Sequence, residues 1–189
     1  MDILGTLSER EASGDVGLVQ AFVNTAHFDR GLDGLKDPDA LKAWLVARRL
    51  MDETHPVAEA DAGHAVAVRE AMRGVIGGNT GLPLYPVDAA TLTEAASASR
   101  LRMRFGADGK PRLEPEAGGV VGALGRLVAA LYTATRDERW PRLKLCGDPS
   151  CRWAFYDESR NHSSRWCDMA SCGNRQKARR FRSRAKATA

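Results

Sequence analysis

Apolar positions recur with helical spacing through most of the first 140 residues, and the period switches to strand alternation once. Val16, Val19, Phe22 and Val23 form the first apolar face, in steps of three and four that place one side of a helix in a core. Asp37 followed by Pro38 predicts an N-cap and a first-turn proline, opening a helix to about Leu50. A longer periodic stretch runs from about Val57 to Ile76 and stops at Gly77-Gly78. Asp88 is read as the cap of a short helix through about Ser97. Leu101, Met103 and Phe105 then alternate with Arg100, Arg102 and Arg104. The turn Gly106-Ala107-Asp108-Gly109 and a return strand from Arg112 to Glu114 complete a hairpin. Val120, Leu124, Leu127 and Leu131, with Val121 and Val128, mark an amphipathic helix from about Glu116 to Asp137. Gly118, Gly122 and Gly125 weaken that helix and are expected to admit a closely packed neighbour. Proline closes the segment at Trp140-Pro141. The expected fold class is mainly α with a β-hairpin, divided into a helical body over 1–140 and a small C-terminal unit over 141–189.

The second unit has a different texture. Leu143, Leu145, Trp153, Phe155 and Tyr156 flank Cys146 and Cys151, with Gly147, Asp148 and Pro149 in the tight loop between the cysteines. This predicts a hairpin with a metal knuckle at its tip. Trp166-Cys167 is read as a short extended lead-in, and a helix is expected after Cys172 to about Arg184. All four cysteines of the chain fall in these 27 residues, as two pairs with four intervening residues each, fifteen residues apart. Two short chelating loops joined by a longer connection suit a tetrahedral Zn²⁺ site of Cys146, Cys151, Cys167 and Cys172. A thiolate at a helix start is favoured by the amides and partial positive charge there. Hairpin knuckle plus helix knuckle is a treble-clef arrangement. Trp153, Phe155, Tyr156 and Trp166 are its expected small core, too small to fold without the ion.

Two disulfides would instead require an oxidising compartment. Met1-Asp2-Ile3-Leu4-Gly5 has neither a basic nor an apolar leader region, and no stretch is long and apolar enough for a membrane span. A cytoplasmic, thiol-reducing location is therefore expected, with no membrane partner. An iron–sulfur cluster also takes four thiolates; the flanking residues favour zinc. A four-cysteine site is closed and leaves no open position for catalysis. His27, His55 and His64 are scattered, Asp52-Glu53 sits at an expected helix end, and no phosphate loop or nucleophile set is legible. The sequence therefore does not point to an enzyme.

Charge separates the two units. Residues 141–189 carry twelve Lys and Arg against four Asp and Glu; residues 1–140 carry sixteen against twenty. A mildly acidic body thus bears a basic tail, which points to a polyanionic partner. Four thiolates and one Zn²⁺ reduce that excess by about two charges.

Cys146-Gly147-Asp148, Cys151-Arg152-Trp153-Ala154-Phe155-Tyr156-Asp157, Ser159-Arg160-Asn161 and Arg165 through Lys177 resemble the bacterial CGNR zinc-finger family, whose naming tetrad is Cys172-Gly173-Asn174-Arg175 here. Leu18-Val19-Gln20-Ala21-Phe22-Val23-Asn24-Thr25 resembles the opening motif of the ABATE domain, which that family places before the finger. Gln20-Ala21 departs from it, standing where a small-acidic pair is expected before the phenylalanine. The resemblance implies a DNA-binding transcription regulator linked to stress.

On the last helix, Asn174, Ala178, Phe181 and Ala185 form a stripe expected to face the protein. Arg175, Arg179, Arg182 and Lys186 form an adjacent basic stripe, extended by Lys177, Arg180 and Arg184. With Arg165, these are the candidate nucleic-acid contacts, suited to a phosphate backbone and a major groove. Asn174 and Arg175 lie close to the metal; Arg175 is open between a DNA contact and a supporting bond to a thiolate or carbonyl. A solvated basic face, an RNA partner and an acidic protein partner, including the chain's own body, are the alternatives. A single basic helix reads DNA weakly, which favours a homodimer. No pattern names a small-molecule effector for the body.

Overall fold

Helices account for 54% of the chain, as the prevalence of 3.6-residue periodicity predicts. The computed structural model describes residues 11–187, with side chains described through Arg184. The first five residues, Ala185 and Lys186, each used in the sequence reading, lie outside what is described for those purposes.

Helix α1 (Gly14–Val23) leads into a two-residue ladder, β1 (Ala26–His27) with β2 (Leu32–Asp33). Nothing in the hydrophobic pattern announces this pair, because two residues are too few to show alternation. Helix α2 (Pro38–Ala47) starts as expected: the Asp37 carboxylate accepts from the Ala40 N–H at 2.8 Å, and Pro38 sits in the first turn. It ends before Leu50, because Arg49 turns into the left-handed region at φ 56°. The Leu50 N–H then bonds back to the Leu45 carbonyl, closing the helix. Helix α3 (Glu59–Gly77) is the longest and stops at the two glycines.

Helix α4 (Pro86–Ala98) opens two residues before the expected cap. Pro86, with no N–H to satisfy and φ already helical, takes the first position, so Asp88 lies inside the first turn. Strands β3 (Leu101–Phe105) and β4 (Pro111–Pro115) form the expected hairpin, in register Leu101 to Pro115 and Phe105 to Pro111. Its apolar face is not covered: Met103 and Phe105 are exposed. The alternating arginines engage acids, Arg102 to Glu116 at 2.8 Å and Arg104 to Glu114 at 3.7 Å.

Helix α5 (Gly119–Thr135) is shorter at both ends than its periodicity suggested. Two of its three expected contact glycines are closely approached: a Cβ at Gly125 would lie 2.5 Å from the Ser99 Cβ, and one at Gly122 2.1 Å from the Ala117 carbonyl. Ser99 in turn accepts, through its carbonyl, the N–H groups of Glu116 and Ala117.

The core lies between α1, α3 and α5. Val16, Val19 and Phe22 of α1 share one buried cluster with Ala65, Met72 and Ile76 of α3 and with Ala123 and Leu127 of α5. Trp140, beyond α5, is buried in the same cluster. So are Leu143 and Leu145 of β5 (Leu143–Leu145) and Ala154 of β6 (Ala154–Tyr156). The antiparallel β5–β6 hairpin therefore turns one side into the main core and carries the cysteine knuckle at its tip. The last described element is α6 (Asn174–Ala187). Among the described residues, no helix is long and apolar enough to cross a membrane.

Candidate metal centre and cationic helix

The Cys146 N–H bonds to the Trp153 carbonyl across the β5–β6 loop, and the Cys151 N–H bonds to the Asp148 carbonyl, so the loop is a tight turn. The Gly147 N–H reaches the Arg165 carbonyl at 2.8 Å, bringing in the second pair. Glycine suits position 147, since a Cβ would sit tightly, 3.1 Å from that carbonyl and from the Trp166 ring. Cys172 lies in a π-helical turn, Met169–Gly173, that runs into α6. Asp168 caps that turn, accepting from the N–H groups of Ala170 and Ser171 at 3.0 Å each.

The two pairs thus converge. All four cysteines are buried and unbridged, with their sulfurs within 4.8 Å of one another. Cys151–Cys167 and Cys167–Cys172 are each 3.7 Å apart, far beyond a disulfide bond. Thiolates about 2.3 Å from a tetrahedral zinc lie about 3.8 Å from each other, so the donor set fits that ion. Packed this closely, the thiols do not ionise alike. Cys146 is held far below the usual thiol range, with the Cys151 and Cys167 thiols donating to it, while Cys167 is driven far above it. A divalent cation at the centre deprotonates all four. Phe155 is buried against the cluster, and Trp153 and Trp166 pack on it.

Two buried carboxylates brace the finger. Asp157 accepts from Lys144 Nζ at 2.8 Å and from the N–H groups of Ser159 and Ser164, fixing the loop after β6. Burial opposes its ionisation, but these donors hold the carboxyl well below the usual range. Asp148 is fully buried within the knuckle and accepts from the Ser150 N–H and hydroxyl. It also pairs with Arg175 at 3.0 Å and Arg179 at 3.2 Å. The sequence showed Asp148 only as a turn former.

This pairing sets the rotation of α6 and reverses an expectation. The Arg175–Arg179 stripe, not the Phe181 stripe, faces the finger, because a fully buried carboxylate attracts it. Asn174, Ala178 and Phe181 are exposed instead, and the Asn174 amide donates to the Ala170 carbonyl in the π-helical turn just before α6. Arg175 makes neither a thiolate nor a carbonyl bond; it spans Asp148, Ser150 Oγ and, at 3.2 Å, Asp29 beside β1. Lys177, Arg180, Arg182 and Arg184 are exposed on α6. Arg165 is exposed, its guanidinium 5.8 Å from the Trp166 ring centre.

The finger is also bonded to the helical body through groups the sequence reading left without a role. Asn24, at the end of α1, donates to the Ala154 carbonyl at 2.8 Å and accepts the Ala154 N–H at 2.9 Å. Gln20, one turn earlier, donates to the same carbonyl at 3.2 Å. Arg73 of α3 is fully buried; it donates to the Arg152 carbonyl in the knuckle and to the Val23 carbonyl. The His27 ring tilts against the Trp153 indole, 4.7 Å between centres. The signal for this seam was present: Gln20 and Asn24, four apart on an apolar helix, are polar groups that need buried partners.

The family model described as "Putative stress-induced transcription regulator", ABATE, matches residues 17–138. The model described as "CGNR zinc finger" matches residues 142–185. No curated protein matches the chain.

Proposed function

The chain belongs to the ABATE family and carries a CGNR zinc finger, and we propose that it is a zinc-containing transcription regulator whose finger binds DNA. In this reading residues 141–189 are the DNA-binding unit, and residues 1–140 receive a signal or mediate assembly. Zinc on Cys146, Cys151, Cys167 and Cys172 is structural. The observation that carries the reading is the exposed cationic row on α6, anchored at its start by the four-cysteine cluster and along one side by Asp148. Arg175 and Arg179 are engaged within the protein and serve mainly to position the helix. Lys177, Arg180, Arg182 and Arg184 are the contacts to DNA, with Arg165 at the margin.

Docking against the chain's own body, an alternative for the basic unit, uses the side of the finger that carries Ala154, Arg152 and Arg175. The outward face of α6 is left for an external partner.

Electrostatic binding through about six phosphate contacts gives a log–log salt slope of roughly −5. Lys177→Glu with Arg180→Glu should remove binding to a mixed-sequence duplex by at least about tenfold while zinc content stays at one per chain. Affinity that ignores ionic strength, or survives this double reversal, counts against the reading.

A further inference from the structure

The outward face of α6 is not uniformly charged. Phe181 stands on it with 75% of its surface exposed, more than any other large apolar side chain among the described residues. Residues three and four apart on a helix share a face, so Lys177 and Arg184 flank Phe181 along the axis, with Arg180 alongside. At 100° per residue this row lies opposite Arg175 and Arg179, the side pinned to Asp148. The helix cannot simply roll to bury Phe181, because doing so would unpair a buried carboxylate.

An apolar ring fixed between two cations is complementary to a surface with anionic rims and apolar groups set in its floor. Duplex DNA offers such a surface. Lys177 and Arg184 are seven residues, or about 10 Å, apart along the axis. The major groove, about 12 Å wide, admits an α-helix lying along it, so this face is turned to the base edges while the long side chains of both cations reach sideways to phosphates on the rims. The apolar group presented there is the thymine methyl.

We infer that Phe181 is the base-contacting residue of α6, meeting thymine methyl groups on the floor of the major groove while Lys177 and Arg184 hold the rims. The inference rests on the DNA-binding reading above and adds a specificity determinant to it.

The test uses the full-length, zinc-loaded protein and two random-sequence duplex pools, one containing thymine and one containing uracil in its place. The native protein should prefer the thymine pool. Phe181→Ala should bind that pool about tenfold more weakly, lose the preference and keep the same salt slope. Circular dichroism and zinc content should be unchanged. Equal binding of the two pools by the native protein overturns the inference. So does native-like binding by Phe181→Ala while the Lys177→Glu, Arg180→Glu protein is impaired, a result that leaves the DNA reading intact. A loss of affinity accompanied by a change in oligomeric state reassigns Phe181 to self-association and also overturns it. Failure of the native protein to bind either pool at low salt removes the DNA reading itself.

Discussion

Asp148 and Asp157 hold the finger's loops by the same means, a buried carboxylate ringed by donors, but they answer to different partners. Asp148 orients a helix through two arginines, whereas Asp157 ties the loop after β6 to Lys144. Removing the negative charge of Asp157 leaves the Lys144 ammonium buried with no counter-charge and only the His162 carbonyl as acceptor, so Asp157→Asn should destabilise the protein by about 3 kcal/mol near neutral pH. The sign of the pH dependence follows from the direction of the shift. The folded carboxyl lies below its unfolded value of about 3.9, so its contribution is complete above that value. It is lost as the pH falls toward the folded value. Denaturant titrations at saturating zinc should therefore give a constant gap between native and variant above about pH 5, narrowing below about pH 4. A gap that stays constant to about pH 3 would refute this account.

At the scale of elements, β5–β6 and α6 differ in what sustains them. Leu143, Leu145 and Ala154 belong to the main core, so the hairpin keeps apolar support without the ion. Helix α6 has no such support: its side chains from Lys177 to Arg184 are all exposed, and it is fixed through Cys172, Arg175 and Arg179. Helices of this length are marginal alone in water. Chelation of the metal should abolish amide protection from about residue 165 onward and lower DNA affinity at least about tenfold, while protection at 143–145 persists. Protection in α6 that survives chelation would show that the metal does not hold the helix.

At the scale of the molecule, finger and body share polar bonds as well as apolar contact, and the seam is testable. Asn24→Ala removes the side-chain acceptor of the Ala154 N–H and one of the two side-chain donors to its carbonyl, Gln20 remaining, and should cost about 2 kcal/mol. Hydrogen exchange should report accelerated opening at the Ala154 amide; unchanged exchange there would mean that the seam lies elsewhere. How much of this was legible follows from range. The cysteine pairs, the capped start of α2 and the β3–β4 hairpin are written in spacings of a few residues, and the sequence reading found them. The partner of Asn24 lies 130 residues away, and the carbonyls that Arg73 reaches lie 79 and 50 away. No local pattern carries that information; a polar pair on an apolar helix shows only that partners exist. The rotation of α6 was misjudged for the same reason. Amphipathicity alone put Phe181 inward, and only the depth of Asp148, a product of the folded knuckle, shows why the arginines win.

The exposed ribbon of β3 and β4 presents sticky side chains and free backbone, conditions under which proteins zip together edge to edge. Proline has no amide hydrogen to give, so Pro111 and Pro115 occupy ladder positions whose donors would face away from β3. Alternation leaves Leu113 as the single outward donor along β4. A neighbouring molecule that approaches along β4 therefore finds almost no donors with which to extend the sheet, and edge-to-edge growth is confined to the β3 side, where Leu101, Met103 and Phe105 keep their outward amides.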